Sequence, residues 1–193
     1  MTLAGTRWGA AALLLPLAIA CSPRFDWREL RGPPGTFTVA LPGKPQTVSR
    51  ELDVPADGAS QRIEMSMLST GVGASLFAVG TAKLPAPSLA TPAALEHTLA
   101  WFREGLARNV GDAAPAAAAV AGPPAGLAGR PLRAAQSFNA SGVAGPGGRQ
   151  TRLAARLYVV DDRLYQLVVI GAEGEVPPQA LETFFDSFRL APP

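Results

Sequence analysis

The chain has 193 residues, of which 48% are hydrophobic and 17% are charged, and its formal net charge is +2. This length is enough for one domain to bury a core without a disulfide or a structural metal. A charge so close to zero, on scattered arginines, argues against a nucleic-acid partner, because such binding needs clustered Lys and Arg. The single cysteine and single histidine exclude a disulfide framework and a multi-ligand zinc site.

Residues 1–20 are predicted to be a signal peptide. Arg7 supplies a short positive segment, and an apolar stretch follows from Trp8 to Ala20. A helix that crosses a bilayer needs ~20 apolar residues, so this shorter run suits the hydrophobic region of a signal peptide better than a transmembrane span. The sequence therefore predicts an exported protein.

The cysteine, Cys21, directly follows this stretch, in the segment Leu17-Ala18-Ile19-Ala20-Cys21. The segment resembles the lipobox of bacterial lipoproteins, in which the peptide is cleaved before the cysteine and the thiol and the new amine are acylated. It departs from the usual pattern at Ala18, where leucine is favoured. The resemblance implies that Cys21 is the lipid-attachment residue. The alternatives are an ordinary secretory signal with an incidental cysteine and an anchor that is not cleaved.

The resemblance also implies a location. Ser22 stands where lipoproteins that are retained at the inner membrane commonly have Asp. In a bacterium with two membranes we therefore expect the protein at the outer membrane, facing the periplasm. Its expected partners are the membrane, through the lipid anchor, and an unidentified protein.

Residues 21–33 are polar and charged and are interpreted as a lipidated tether, which leaves residues 34–193 as one domain. The domain opens with a predicted strand over 36–41, in which apolar and polar side chains alternate. The same alternation predicts further strands near 61–68 and 75–82, and a more polar, edge-like strand over 46–55.

A helix is predicted over 92–109, because Thr91 is a good N-cap and Pro92 is tolerated at the first helical position. Its apolar side chains recur at helical spacing. The stretch 112–129 is rich in Ala, Pro and Gly, which break a helix, and is interpreted as a flexible loop or a poorly packed approach to a strand.

The last third of the chain predicts three strands and a helix. The strands lie near 132–138, 151–160 and 164–171, and Asp161-Asp162 joins the last two as a hairpin. A helix over 178–188 closes the chain, with Phe184 and Phe188 in the core. Short turns between strands imply antiparallel pairing. The fold class is therefore α+β, with a single antiparallel sheet covered by helices in an α/β/α sandwich.

Three motifs carry a resemblance to a known family: TFTVALPGKP, RLYVVDDRLYQLVVIG and LETFFDSFRL. The chain resembles the PsbP/Mog1-like family over roughly residues 30–190. That family opens with a Phe-containing strand ending in Leu-Pro, has a late hairpin with an aromatic in each arm, and closes with a helix carrying two phenylalanines. The resemblance implies an antiparallel sheet between helices, and a binding or assembly role without catalysis.

No catalytic residue, cofactor or metal site is predicted. His97 lies on the polar face of the first helix, where a lone histidine is typical of a surface. Asp161-Asp162 suits turn geometry, and Glu173-Gly174-Glu175 is interpreted as a solvated loop. The glycine-rich GVAGPGGRQ lacks the Lys-Ser/Thr of a phosphate-binding loop.

The favoured hypothesis is a lipid-anchored envelope protein that acts as a non-catalytic binding or assembly module. One alternative is a hydrolase that uses only carboxylates, such as Glu104 with Asp161 or Glu173, which would have to converge in one cleft. Another is a carrier of a small apolar ligand between sheet and helix. The aromatic residues Trp27, Trp101, Tyr158 and Tyr165 are candidates to line a pocket.

Overall fold

The structure is a computed structural model that describes residues 24–56, 58–112, 116–120, 122–144 and 147–192. The predicted signal peptide and the predicted lipid-attachment residue Cys21 lie outside the described residues. None of the helices in these ranges is long and apolar enough to cross a membrane.

Within the described residues the chain forms ten strands and two α-helices. In chain order they are β1 (Trp27–Gly32), β2 (Phe37–Pro42), β3 (Gln46–Ala56), β4 (Ala59–Val72), β5 (Ser75–Lys83), α1 (Pro92–Ala107), β6 (Ala118–Ala119), β7 (Leu132–Ala144), β8 (Arg149–Val160), β9 (Arg163–Ala172), α2 (Pro178–Ser187) and β10 (Arg189–Leu190). Short 3₁₀ helices cover Ala86–Leu89 and Arg108–Val110.

Seven of the strands form one antiparallel sheet in the order β3-β4-β5-β9-β8-β7-β6. The predicted hairpin of β8 and β9 lies near its centre, with Tyr158 opposite Tyr165. Asp161, in the turn, has a φ of 55°, a left-handed conformation that Asp tolerates better than most residues. The α+β class and the antiparallel pairing predicted from the sequence are confirmed.

The two faces of this sheet belong to two separate apolar clusters. Along β9, Leu164 and Val168 join one cluster, whereas Tyr165 and Leu167 join the other. This alternation follows from the two-residue period of a strand. The first cluster includes the buried side chains of α1, and the second includes those of α2 and β2.

The prediction of a single sheet was wrong for the strand near 36–41. This strand, β2, lies between β1 and β10 in a separate three-stranded antiparallel sheet. Its buried side chains Phe37, Val39 and Leu41 all belong to the second apolar cluster. Alternation identified the buried face of this strand, but it carries no information about which strand is the hydrogen-bonding neighbour.

The prediction that residues 21–33 form a tether was also wrong in part. Residues 27–32 form β1, which pairs with β2 from Trp27 opposite Pro42 to Gly32 opposite Phe37. In WRELRG the apolar residues are three apart, so the segment does not show the alternation of a strand. Trp27 nevertheless packs against Phe77, with ring centroids 5.9 Å apart. The strand therefore makes a tertiary contact that the local sequence pattern did not indicate.

The helices begin where the sequence predicts and end slightly earlier. The Thr91 hydroxyl accepts a hydrogen bond from the Ala94 amide at 3.1 Å, as an N-cap should. Helix α1 ends at Ala107 and continues as a 3₁₀ turn to Val110. Helix α2 ends at Ser187, so Phe188 is extended, although it is 3% exposed and in the core as predicted.

The alanine-rich stretch 112–129 was interpreted as either a flexible loop or a poorly packed segment that leads into a strand. Its described residues fit the second interpretation. Its described part contains the two-residue strand β6, which pairs with β7 through Ala118 opposite Ser137. Further along, Ala125 forms an isolated bridge to Arg189. Both residues of β6 are exposed, so this edge contributes little to the core.

Candidate functional site

The seven-stranded sheet has two ends that carry different chemistry. We call the end with the β4–β5 turn the proximal end, because it is close to Arg24, the first described residue. Arg24 pairs there with Glu175 and lies close to Gly73. We call the opposite end, where Lys83 of β5 faces Arg163 of β9, the distal end.

The largest of the cavities described lies at the distal end and has a volume of about 570 Å³. We call it the distal hollow. It lies beside the β1–β2 turn, the ends of β4 and β5, and the segment that leads into α1. The residues that line it are Pro34, Arg62, Ile63, Glu64, Ser66, Thr81, Lys83, Leu84, Pro85, Ala86 and Arg163.

Three cationic side chains and one anionic side chain line the distal hollow. Arg62 is held by exposed carboxylates, with Nε 3.3 Å from Asp53 Oδ1 and 3.6 Å from Glu51 Oε2. Lys83 Nζ lies 3.1 Å from Asp162 Oδ2. Exposed pairs of this kind contribute little to stability. They hold the cationic groups near the hollow without burying them.

The third cation, Arg163, has no salt bridge among the described residues. Its direct cross-strand partner is Lys83, a residue of the same charge. Like charges directly opposite each other in a sheet are destabilising. The distal ends of β5 and β9 therefore concentrate positive charge beside a cavity.

Thr81 adds a buried polar group to the lining of the hollow. Its side chain is 2% exposed, and its hydroxyl has no hydrogen-bond partner in the described part of the chain. A buried polar group left without a partner costs about 1–3 kcal/mol. In the sheet, Thr81 lies opposite Ser66, whose hydroxyl bonds that of Ser49 at 3.0 Å. The Thr81 hydroxyl is shielded from solvent and has an unused donor beside the hollow.

The β8–β9 turn at the distal end is held by arginines. Arg130 Nε lies 2.8 Å from Asp161 Oδ2, and Arg133 Nε donates to the Asp161 carbonyl oxygen at 2.6 Å. The Asp161 amide donates to the Pro131 carbonyl at 3.0 Å. Asp161 therefore has a structural role in this turn, as the sequence suggested.

The carboxylates of the hydrolase alternative are those of Glu104, Asp161 and Glu173. None of the five cavities found among the described residues is lined by any of them. Glu104 is exposed on α1, and Glu173 pairs with Arg152. Asp161 and Glu173 flank the ten-residue strand β9, which separates them by roughly 30 Å. Carboxyl pairs that hydrolyse a glycosidic bond are at most about 9.5 Å apart.

The other sequence candidates are distributed over the fold. His97 is exposed on α1, as expected. Tyr165 is fully buried in the core, and Tyr158 lies at a cavity of about 280 Å³ beside Phe188. Trp27 packs on Phe25 and Phe77. These aromatic residues do not meet around one shared cavity.

Trp101 lines a cavity of about 270 Å³ between α1 and β3. A second cavity adjoining a helix, of about 340 Å³, lies where β8 and β9 meet the start of α2. Drug-sized ligands occupy cavities of about 300–1,000 Å³. These two cavities are at or below the lower end of that range, whereas a cavity of about 490 Å³, lined by Asn109 just after α1 and by Ile170 and Ala172 of β9, lies within the range that the apolar-carrier alternative needs.

Among the residues that the structure describes, no group of three or more His, Cys, Asp or Glu side chains is placed to hold a metal ion. The residues of the distal hollow were not identified from the sequence. Arg62, Lys83 and Arg163 lie on three different strands, and only the sheet brings them together. The one local signal was a charged residue at the end of an apolar strand, which is common on surfaces.

Comparison with known proteins adds no assignment to this site. No protein-family model matches the chain, and no curated protein matches it.

Proposed function

We propose that this chain is a lipid-anchored protein of the bacterial cell envelope that acts as a non-catalytic binding or assembly module, with Cys21 as the anchor and the distal hollow as the binding site. The observation that supports it is the position of the hollow relative to the point where the chain enters the domain. Arg24 lies at the proximal end, and the hollow lies at the distal end.

The spacing between the anchor and the domain sets the orientation. Two residues, Ser22 and Pro23, separate Cys21 from Arg24, and the three steps of chain between them span at most about 11 Å. The proximal end would therefore stay close to the bilayer. Strand β5 has nine residues, so the distal hollow would stand roughly 30 Å further out. A binding site in that position is accessible to soluble molecules and to other envelope proteins.

We also propose the finer fold assignment, an α/β/α sandwich of the PsbP/Mog1-like type. It is supported by the position of the helices, since α1 and α2 contribute their buried side chains to different clusters on the two faces of the sheet. The late hairpin and the closing phenylalanines also lie in the core. A solved structure in which both helices pack on the same face would contradict the assignment.

The anchor is tested by expressing the wild type and Cys21→Ser in a two-membrane bacterial host. After fractionation, the N-terminal peptide is weighed by mass spectrometry. We expect the wild-type peptide to begin at Cys21 and to carry acyl chains, because two or more chains give stable attachment. Ser22→Ala is the matched control and should stay acylated. Ser22→Asp should move the protein to the inner membrane. An unmodified wild-type peptide would refute the anchor.

The orientation is tested separately, with fluorophores on single cysteines introduced at exposed positions in the lipidated protein. Ala74 lies at the proximal end and Ala86 at the rim of the hollow. In vesicles that carry nitroxide headgroups, we expect quenching of the label at position 74 and little at position 86. Equal quenching of both labels would contradict the proposed orientation.

The hydrolase alternative has its own test. An activity screen of the wild type is followed by His97→Ala and Glu104→Gln. The proposed function expects no turnover that depends on either residue, since both lie on the exposed face of α1. Turnover that is lost in either variant would refute the binding-module proposal.

A further inference from the structure

We propose that the distal hollow binds a small soluble organic molecule through a single anionic group, a carboxylate or a phosphate. The group would lie between Arg163, Lys83 and the hydroxyl of Thr81. This inference rests on the proposed function, because it names the class of ligand for the same hollow.

The first argument concerns charge. Lys83 and Arg163 are direct cross-strand partners, and Lys83 already pairs with Asp162, so an anion between them would chiefly supply the missing partner of Arg163. Arg163 has no competing salt bridge among the described residues. A guanidinium presents donors in a planar fork that matches the two oxygens of a carboxylate or phosphate.

The second argument is independent of charge. Thr81 lines the hollow, and its hydroxyl is buried without a hydrogen-bond partner within the described residues. Buried polar groups in proteins are nearly always hydrogen-bonded, and Thr81 is the one residue lining the hollow among the five in the described part of the chain whose buried hydroxyls have no partner. A hydroxyl can donate to an anionic oxygen, and such a bond is stronger than a neutral one.

The rest of the lining restricts the ligand further. Glu64 brings negative charge to the hollow, so any second anionic group on the same molecule would have to lie away from Glu64, towards solvent. Pro34, Pro85 and Ala86 also line the hollow and supply apolar surface for a carbon skeleton, whereas the side chains of Ile63 and Leu84 belong to the first apolar cluster. The volume of about 570 Å³ suits a small molecule and lies within the usual range of ligand sites.

The location of the hollow favours a soluble ligand over a lipid headgroup. With the proximal end near the bilayer, the hollow would lie on the side of the domain away from it. A headgroup of the anchoring membrane would not reach it.

The experiment titrates inorganic phosphate, succinate and phosphatidylglycerol vesicles into the purified full-length protein. Binding is measured by calorimetry, and the site is mapped by NMR amide shifts. We expect saturable binding of phosphate or succinate, with shifts at residues 62–66 and 81–86 and at Arg163. The affinity should fall as salt is raised, because the cationic side chains are partly exposed.

Two variants and a matched control decide the inference. Arg163→Gln should weaken binding about tenfold, since it removes a charge-assisted contact. Thr81→Val keeps the shape of the side chain and should weaken binding about fivefold while the protein remains folded. Arg152→Gln removes an exposed arginine at the proximal end and should change the affinity less than about twofold.

Three results would overturn the inference: no saturable binding of phosphate or succinate, an equal loss in Arg152→Gln, or binding to vesicles alone. The anchor is measured on the N-terminal peptide and not on the hollow. A failure of binding is therefore distinguishable from a failure of the anchor.

Discussion

Lys83 and Arg163 face each other directly across strands β5 and β9, at the distal end of the sheet. Two like charges in this register destabilise the sheet, and the neighbouring Asp162 offsets the repulsion for Lys83 only. The arrangement is unfavourable for stability and suited to binding an anion. Stability and binding should therefore respond in opposite directions to a change at this pair.

Arg163→Glu should raise the free energy of unfolding by about 0.2–1 kcal/mol, because it replaces a like-charge pair with an opposite-charge pair. It should also abolish the binding of phosphate or succinate. Urea denaturation of the wild type and the variant, at low salt, measures the first effect. A variant that is less stable than the wild type would show that the repulsion between Lys83 and Arg163 is not significant.

Phe184 and Phe188 anchor the second apolar cluster. Phe184 is fully buried, and the ring of Phe188 stacks on Tyr158 at a centroid distance of 6.0 Å. Either residue changed to Ala should lower the free energy of unfolding by about 3–5 kcal/mol, through lost apolar burial and a cavity. Glu182→Ala, on the exposed side of α2, is the control. A loss below about 1 kcal/mol would contradict the core position.

Two glycines should respond in opposite ways to substitution by alanine. A Cβ at Gly142 would lie 2.1 Å from the carbonyl oxygen of Val110, a backbone atom that cannot yield, so Gly142→Ala should destabilise by about 1–3 kcal/mol. At Gly105, inside α1, the nearest atom is the end of the Arg108 side chain at 3.6 Å. Gly105→Ala should stabilise by about 1 kcal/mol through helix propensity. Thermal unfolding of both variants tests the contrast, and a shift in the same direction for both would contradict it.

Tyr158 should make stability fall at alkaline pH. Burial raises the pKa of its hydroxyl, and the nearby Arg156 lowers it by a smaller amount. Because the pKa is higher in the folded protein than in the unfolded chain, the contribution to stability is complete below about pH 10 and is lost as the pH rises toward the folded-state pKa.

The measurement for Tyr158 is urea denaturation at about pH 8 and about pH 11, on the wild type and Tyr158→Phe. Phenylalanine keeps the ring and removes the titrating group. We expect the wild type to lose more stability than the variant between the two conditions. Parallel losses would show that another group dominates the alkaline transition.

The local elements of this protein follow from short-range patterns in the sequence. The N-cap at Thr91, the turn at Asp161-Asp162 and the buried positions of Phe184 and Phe188 were all predicted and all confirmed. Each depends on side-chain spacing or on the conformational preference of one or two residues, which act over a few residues of chain. The lipid anchor at Cys21 stays a prediction.

Only the tertiary structure decided which strands are neighbours. Alternation in TFTVAL identified the buried face of β2, but not its place in a second sheet with β1 and β10. The strand character of WRELRG was hidden for a different reason: its apolar residues do not alternate, although its partner β2 begins only five residues after its end. Likewise, Arg62, Thr81 and Arg163 meet at one hollow because β4, β5 and β9 are adjacent. Strand pairing is set by long-range hydrogen bonds and packing, and no local period of the sequence encodes it.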